Sequence, residues 1–223
     1  MAYCFEPKIP SLEILGRAER FPIRRIWCLG RNYAEHVREM GFVGGELPVF
    51  FGKPPDAVVP GGGEIPYPTM TGNFHHEIEL VVAIGKAGAD IPADQAAGYV
   101  FGCAVGIDLT RRDLQAALRK EGRPWEMAKA FDHSAPISAL WQGPVPDRAG
   151  IWLSVNGADR QRSDIAHMIW PVPEIIANLS TFVALAPGDL IFTGTPEGVG
   201  PLQRGDEVLG GIEGIGEIKI RIV

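Results

Sequence analysis

The clearest hydrophobic pattern lies in residues 75–85, His75-His76-Glu77-Ile78-Glu79-Leu80-Val81-Val82-Ala83-Ile84-Gly85. Aliphatic and β-branched residues dominate it and a glycine ends it, which predicts a buried strand. Side chains alternate faces along a strand. Glu77 and Glu79 therefore share a face with Val81 and Ala83, and Ile78, Leu80 and Val82 point the other way, into a core. Two carboxylates on one face of an apolar strand repel each other and are costly to desolvate. A cation, a basic partner or solvent relieves them, and a hard divalent metal suits paired carboxylate oxygens. The competing reading is an exposed edge-strand face with two solvated glutamates.

The remaining pattern predicts short strands at residues 25–30, 48–53, 56–59, 99–107, 151–155, 189–193 and 217–223. Asn156-Gly157 is a hairpin signal. A short helix is expected over 33–40, with Asn32 as its N-cap. A second covers 111–120, capped by Thr110, with Asp113 echoing a capping box. A third spans 173–184, where Ile175, Ile176, Leu179, Phe182 and Val183 fall at helical spacing as core. Residues 92–97 read as one or two helical turns and 121–136 as a loop. Residues 1–24 lack a period and read as an arm packed on a single domain, residues 25–223. Gly41, Gly44 and Gly45 suggest a mobile lid. The expected class is mainly β with short helices.

Composition narrows the function. The 223 residues carry a net charge of -6, which argues against nucleic-acid or anionic-membrane partners. No apolar run approaches the ~18 residues a membrane helix needs, and the N-terminus lacks a signal-peptide pattern. Cys4, Cys28 and Cys103 form no CxxC pair and read as reduced core residues of a cytoplasmic protein.

Four groupings carry possible chemistry. Asp108 ends the strand that follows Glu77 and Glu79, so three carboxylates converge if the two strands are neighbours. Such a set favours Mg²⁺ or Mn²⁺; zinc is disfavoured because no Cys or His has its usual ligand spacing. Asp108 read alone is also a turn or cap residue. His36 and Glu39 share a helix face, where a carboxylate orients an imidazole as a general base; a surface His beside a Glu is the alternative. Arg112 and Gln115 share a face suited to gripping a carboxylate, or they belong to a solvated helix face. Lys129 sits in a largely apolar run, where it neutralises the acidic cluster or an enolate, or simply snorkels. No GxSxG, GxxxxGK[ST] or GxGxxG motif is present. His75, His76 and His133 receive no role.

Together these stretches resemble the fumarylacetoacetate hydrolase family. The matches are Gly30-Arg31-Asn32-Tyr33 with His36 and Glu39, then Phe50-Phe51-Gly52-Lys53-Pro54, then Glu77-Ile78-Glu79-Leu80-Val81. Asp108-Leu109-Thr110-Arg111-Arg112-Asp113-Leu114-Gln115, Lys129-Ala130-Phe131-Asp132 and Gly188-Asp189-Leu190-Ile191-Phe192-Thr193-Gly194-Thr195-Pro196 follow in family order. The resemblance implies a mixed β-roll, a homodimer, and Mg²⁺ or Mn²⁺ held by Glu77, Glu79 and Asp108. It implies that His36 and Glu39 activate water, that Lys129 stands by the metal, and that Arg112, Gln115 and Thr195 contact substrate. Arg111-Arg112-Asp113-Leu114-Gln115, Gly122-Arg123-Pro124-Trp125-Glu126 and Asn156-Gly157-Ala158-Asp159-Arg160-Gln161 look most like members acting on fumarylpyruvate in gentisate breakdown. His76 and His133 depart from the residues expected at those positions. The expectation is a hydrolase that cleaves the C–C bond of a 2,4-dioxo acid. Oxaloacetate decarboxylation or isomerisation of a 2-oxo-dienoate on the same site, and a non-catalytic protein that binds metal or a small acid, are the rivals.

Overall fold

A computed structural model describes residues 3–40 and 47–223. Two sheets dominate it. The larger has seven strands in the order Val49–Lys53, Arg25–Gly30, Asp189–Phe192, Ile78–Ile84, Val100–Ile107, Ala135–Ile137 and Val58–Pro60. The smaller has five, Ala158–Asp164, Gly150–Val155, Glu207–Ile212, Gly216–Ile222 and Gly62–Ile65. Both mix parallel and antiparallel pairs, giving the mainly β architecture with short helices that the pattern predicts.

Ile78–Ile84 lies in the middle of the larger sheet and is buried along its whole length. Its alternation explains this. Ile78, Leu80, Val82 and Ile84 pack into one core with Ile151, Leu153, Val208, Ile218 and Ile220 of the five-stranded sheet. Val81 and Ala83 face a second core with Ile26, Cys28, Ala104, Leu190 and Phe192. Each buried Val, Leu, Ile or Phe among these contributes about 1.5–3 kcal/mol on burial.

The N-terminal segment contributes to that second core. Ser11–Glu13 and Arg20–Pro22 form a small antiparallel pair, and Leu12, Ile14, Phe21 and Ile23 are buried. Asn156 and Gly157 both take positive φ, 53° and 78°, and join two antiparallel strands as a tight hairpin. In Gly216–Ile222, Ile218, Ile220 and Ile222 are buried and Lys219 and Arg221 exposed, the expected alternation.

Several local expectations are corrected. Residues 75–85 are not one strand: Phe74–His76 pairs instead with Thr110–Arg111 and Gly200–Leu202, and Glu77 occupies the break. Asn32 does not cap the first helix, Ala34–Glu39. Its side chain bridges two other segments, donating to Thr193 O at 2.7 Å and Trp170 O at 3.0 Å. Nor does Thr110 cap Arg112–Lys120, because it lies in the short strand before that helix. The 121–136 segment contains a short helix, Glu126–Lys129, and enters the strand Ala135–Ile137. Phe182 ends the helix Val172–Phe182 and is exposed, so it is not core as its spacing suggested. Cys4 is likewise exposed, while Cys28 and Cys103 are buried and unpaired. The proposed lid at Gly41, Gly44 and Gly45 lies outside the described residues.

Candidate metal centre and its surroundings

The acidic cluster is built by strand pairing. Ile78 is opposite Ile107 in an antiparallel ladder, so Glu77 and Asp108 lie at the same end. The Asp108 N–H donates to Glu77 O at 2.8 Å, carrying the pairing one residue further. Glu79 is two residues along the same edge. One carboxylate oxygen from each of Glu77, Glu79 and Asp108 lies within 4.8 Å of the other two, and all three residues are buried.

Basic groups surround the cluster unequally. Lys129 Nζ donates to Glu77 Oε2, Asp108 Oδ2 and Thr110 Oγ1, each at 2.7 Å. Arg112 is bonded to Glu77. Lys53 Nζ lies 2.8 Å from Asp108 Oδ1 and donates to the Lys129 carbonyl. Burial raises the pKa of Glu77, but the Lys129 ammonium and the Arg112 guanidinium outweigh it and hold the carboxyl well below its usual range. Burial opposes charge on Lys129 as well, and Asp108 and Glu77 overcome it, so its pKa is raised. Glu79 has weaker help, from the more distant charge of Lys129 and the Gly194 N–H, and it is outweighed. Burial, with Asp108 and Glu77 beside it, pushes its pKa well above the ordinary value.

The donor set fits a hard divalent cation. It consists of carboxylate oxygens, the chemistry Mg²⁺ and Mn²⁺ prefer. Asp108 Oδ1 is buried and faces the Lys53 ammonium at 2.8 Å. Three carboxylates converging in a buried site, one of them driven toward its neutral form by burial and the other two, are what a cation would relieve.

Opposite the cluster, His36 is buried on Ala34–Glu39. Its Nδ1 lies 3.2 Å from Glu39 Oε2, as the i,i+3 spacing predicts. The Gly198 N–H donates to both Glu39 oxygens at 3.2 Å, so the loop after Phe192 fixes the carboxylate that orients the imidazole. A pocket is lined by His36, Glu77, Glu79, Asp108, Arg112, Gln115, Lys129 and Thr195. Of the nine residues singled out from sequence, eight line it and Glu39 stands behind His36.

Arg112 and Gln115 share a buried face of Arg112–Lys120, and the guanidinium donates to Gln115 Oε1. Thr195 follows Gly194, whose φ of +94° favours glycine. A Cβ on Gly194 would lie 2.7 Å from Asn32 Cβ, and its N–H donates to Glu79 Oε2 at 2.7 Å. Burial lowers the pKa of both His75 and His76, the former to about 4. His76 bonds to Gln161, and His133 is exposed at a φ of 62°.

Sequence reasoning missed Lys53, Thr110, Gln161 and the Gly194 N–H as parts of this site. Lys53 ends the apolar strand Val49–Lys53, the same signal that singled out Lys129. No local pattern marks Gln161 or the backbone donor, whose partners on the central strand, Ile78 and Glu79, are more than eighty residues away in sequence.

The model of the fumarylacetoacetate hydrolase C-terminal family matches residues 25–223. A fumarylpyruvate hydrolase of Pseudomonas aeruginosa, crystallised with Mn²⁺ and pyruvate, superposes with a TM-score of 0.97. It is 55% identical, and the match covers 100% of this chain and 99% of that one. A fumarylpyruvate hydrolase of Ralstonia sp is 46% identical over 79% of this chain and 93% of its own length. The mitochondrial oxaloacetate tautomerase of Mus musculus is 42% identical over 90% of this chain and 96% of its own.

Proposed function

The chain belongs to the fumarylacetoacetate hydrolase family, and on that premise we propose that it is a divalent-metal-dependent hydrolase of acylpyruvates, with fumarylpyruvate as the substrate that its relatives favour. The carrying observation is the buried triad Glu77, Glu79 and Asp108, facing one pocket with His36. Glu77, Glu79 and Asp108 would hold Mg²⁺ or Mn²⁺. When bound, such an ion stabilises negative charge that develops on the oxygens of a 2-oxo acid.

The chain's own residues supply the rest. His36, with Nδ1 turned to Glu39, presents Nε2 as the base that takes a proton from water, which then attacks the C4 carbonyl. As the C3–C4 bond breaks, the electron pair passes into the pyruvate portion. Lys129 adds a fixed positive charge beside it. Arg112, Gln115 and Thr195 position the 2-oxo acid end. Buried, unpaired Cys28 and Cys103 support a cytoplasmic setting.

Turnover of fumarylpyruvate with Mn²⁺ and with EDTA tests the reading. Activity that survives complete metal removal would reject it. His36→Ala should lose about 10²–10⁴-fold in kcat while Mn²⁺ still binds.

The oxaloacetate tautomerase relatives favour a second reading, in which the same site moves a proton at C3 of oxaloacetate. That reaction needs no attacking water, and neither does decarboxylation. Rates on acetylpyruvate, fumarylpyruvate, oxaloacetate and a 2-oxo-dienoate, measured side by side, separate the three chemistries.

A further inference from the structure

Arg112 does not reach toward the far end of the pocket. Its guanidinium bonds Glu77 and Gln115, which places it at the end where the carboxylates cluster. The pocket has further guanidiniums. Arg119 lines it from the same helix, Arg112–Lys120, and Arg31 lines it from the turn after Arg25–Gly30.

Helical geometry places Arg119 relative to the triad. Arg112, Gln115 and Arg119 sit at i, i+3 and i+7 and therefore share one face. Arg119 is one turn, about 6 Å, beyond Gln115. Along the helix, the pocket thus runs from the triad past Arg112 and Gln115 to Arg119. Trp125 and Phe51, whose rings lie 6.0 Å apart, supply apolar wall.

We propose that Arg119 is a specificity residue that receives a second, distal carboxylate of the substrate and so selects dicarboxylic acylpyruvates over monocarboxylic ones. This rests on the acylpyruvate reading above. In fumarylpyruvate, the rigid trans double bond holds the terminal carboxylate away from the C4 carbonyl, and the tail plus one hydrogen bond spans about one helical turn. The flat, apolar centre of that tail suits the aromatic wall. A guanidinium grips a carboxylate in bidentate fashion, which an ammonium does not match. Arg31 faces the same pocket, with its guanidinium carbon 6.0 Å from the Trp125 ring, and adds positive charge for a dianion.

The test is Arg119→Gln, with Arg119→Lys beside it. The readout is the ratio of kcat/KM for fumarylpyruvate to that for acetylpyruvate, which lacks the distal carboxylate. The ratio should fall about tenfold or more in the Gln variant, mainly through KM, and less in the Lys variant. A ratio within about twofold of the wild type's would overturn the assignment, as would equal losses on both substrates. Calorimetric binding of 2-oxopimelate and 2-oxoheptanoate in the presence of Mn²⁺ gives a readout that needs no turnover. Arg119→Gln should abolish the preference for the dicarboxylate, and a preserved preference would again overturn the proposal. Failure of the wild-type protein to hydrolyse any acylpyruvate would sink the reaction assignment instead, leaving the binding comparison to decide the role of Arg119.

Discussion

Gln161 donates from Nε2 to Thr195 Oγ1 at 2.8 Å, and this contact orients the hydroxyl. Nε2 also donates to Pro196 O at 2.9 Å, while Oε1 accepts from Ile78 N at 3.1 Å and pairs with His76 Nδ1 at 3.0 Å. Because Thr195 accepts from Gln161, its own proton is turned to another acceptor. One buried carboxamide thus ties the Glu77–Glu79 edge to the loop that follows Phe192.

Gln161→Leu keeps the volume but leaves Ile78 N and Thr195 without their partner. A buried donor left unsatisfied costs about 1–3 kcal/mol. The melting temperature should fall, and Thr195, free to rotate, should bind the 2-oxo acid less well. Calorimetry and a rise in KM check both effects. Unchanged values for each would mean that a neighbouring group takes over the bonds.

Lys129 neutralises Glu77 and Asp108 from inside the fold. Lys129→Met removes the ammonium that bridges two buried carboxylates and leaves Glu77 to Arg112 and Asp108 to Lys53, a loss of up to about 3–5 kcal/mol for a broken buried pair. Denaturation without metal should show the full loss. Added Mn²⁺ should restore part of it, because a cation replaces some of the missing charge.

Metal addition should stabilise the wild-type protein by mass action, about 2.7 kcal/mol at a hundredfold excess over Kd. Glu79→Gln removes one of three mutually repelling carboxylates, so the metal-free variant should be about as stable as the wild type. Its melting temperature should no longer respond to Mn²⁺. A full Mn²⁺ response in that variant would remove Glu79 from the ligand set.

Asp113 supplies an acid-sensitive tie. Slight burial raises its pKa, but hydrogen bonds from Thr71 and from the Gly72 and Leu114 N–H groups outweigh this and leave it below the ordinary 3.8. A carboxyl whose pKa is depressed on folding stabilises the fold above its unfolded value, and that contribution is lost as pH falls through the folded value. Asp113→Asn should therefore melt earlier than the wild type at neutral pH, with the gap closing as pH falls below the ordinary aspartate value of 3.8. Melting curves across pH follow this directly; a gap that does not vary with pH would assign the loss to packing.

How much of this was legible without coordinates differs by residue. Alternation alone gave Ile78, Leu80 and Val82 to one core, and ordered motifs marked Glu77, Glu79, Asp108, His36 and Lys129. Helical spacing brought His36 to Glu39 and Arg112 to Gln115. These are local relations, set by the 2.0 and 3.6 residue periods of the backbone.

The periods do not say where a side chain's hydrogen bonds end. Asn32 and Thr110 look like caps in sequence, yet each is drawn to a partner that only chain crossing supplies, Asn32 to Thr193 and Trp170, Thr110 to Lys129. The exposure of Phe182 and the place of Lys53 beside Asp108 belong to the same class. The chain by itself determined which residues are acidic, basic or apolar and how they repeat. Folding decided which of those charges meet, because desolvating them is tolerable only where segments remote in sequence bring the compensating group within a few ångströms.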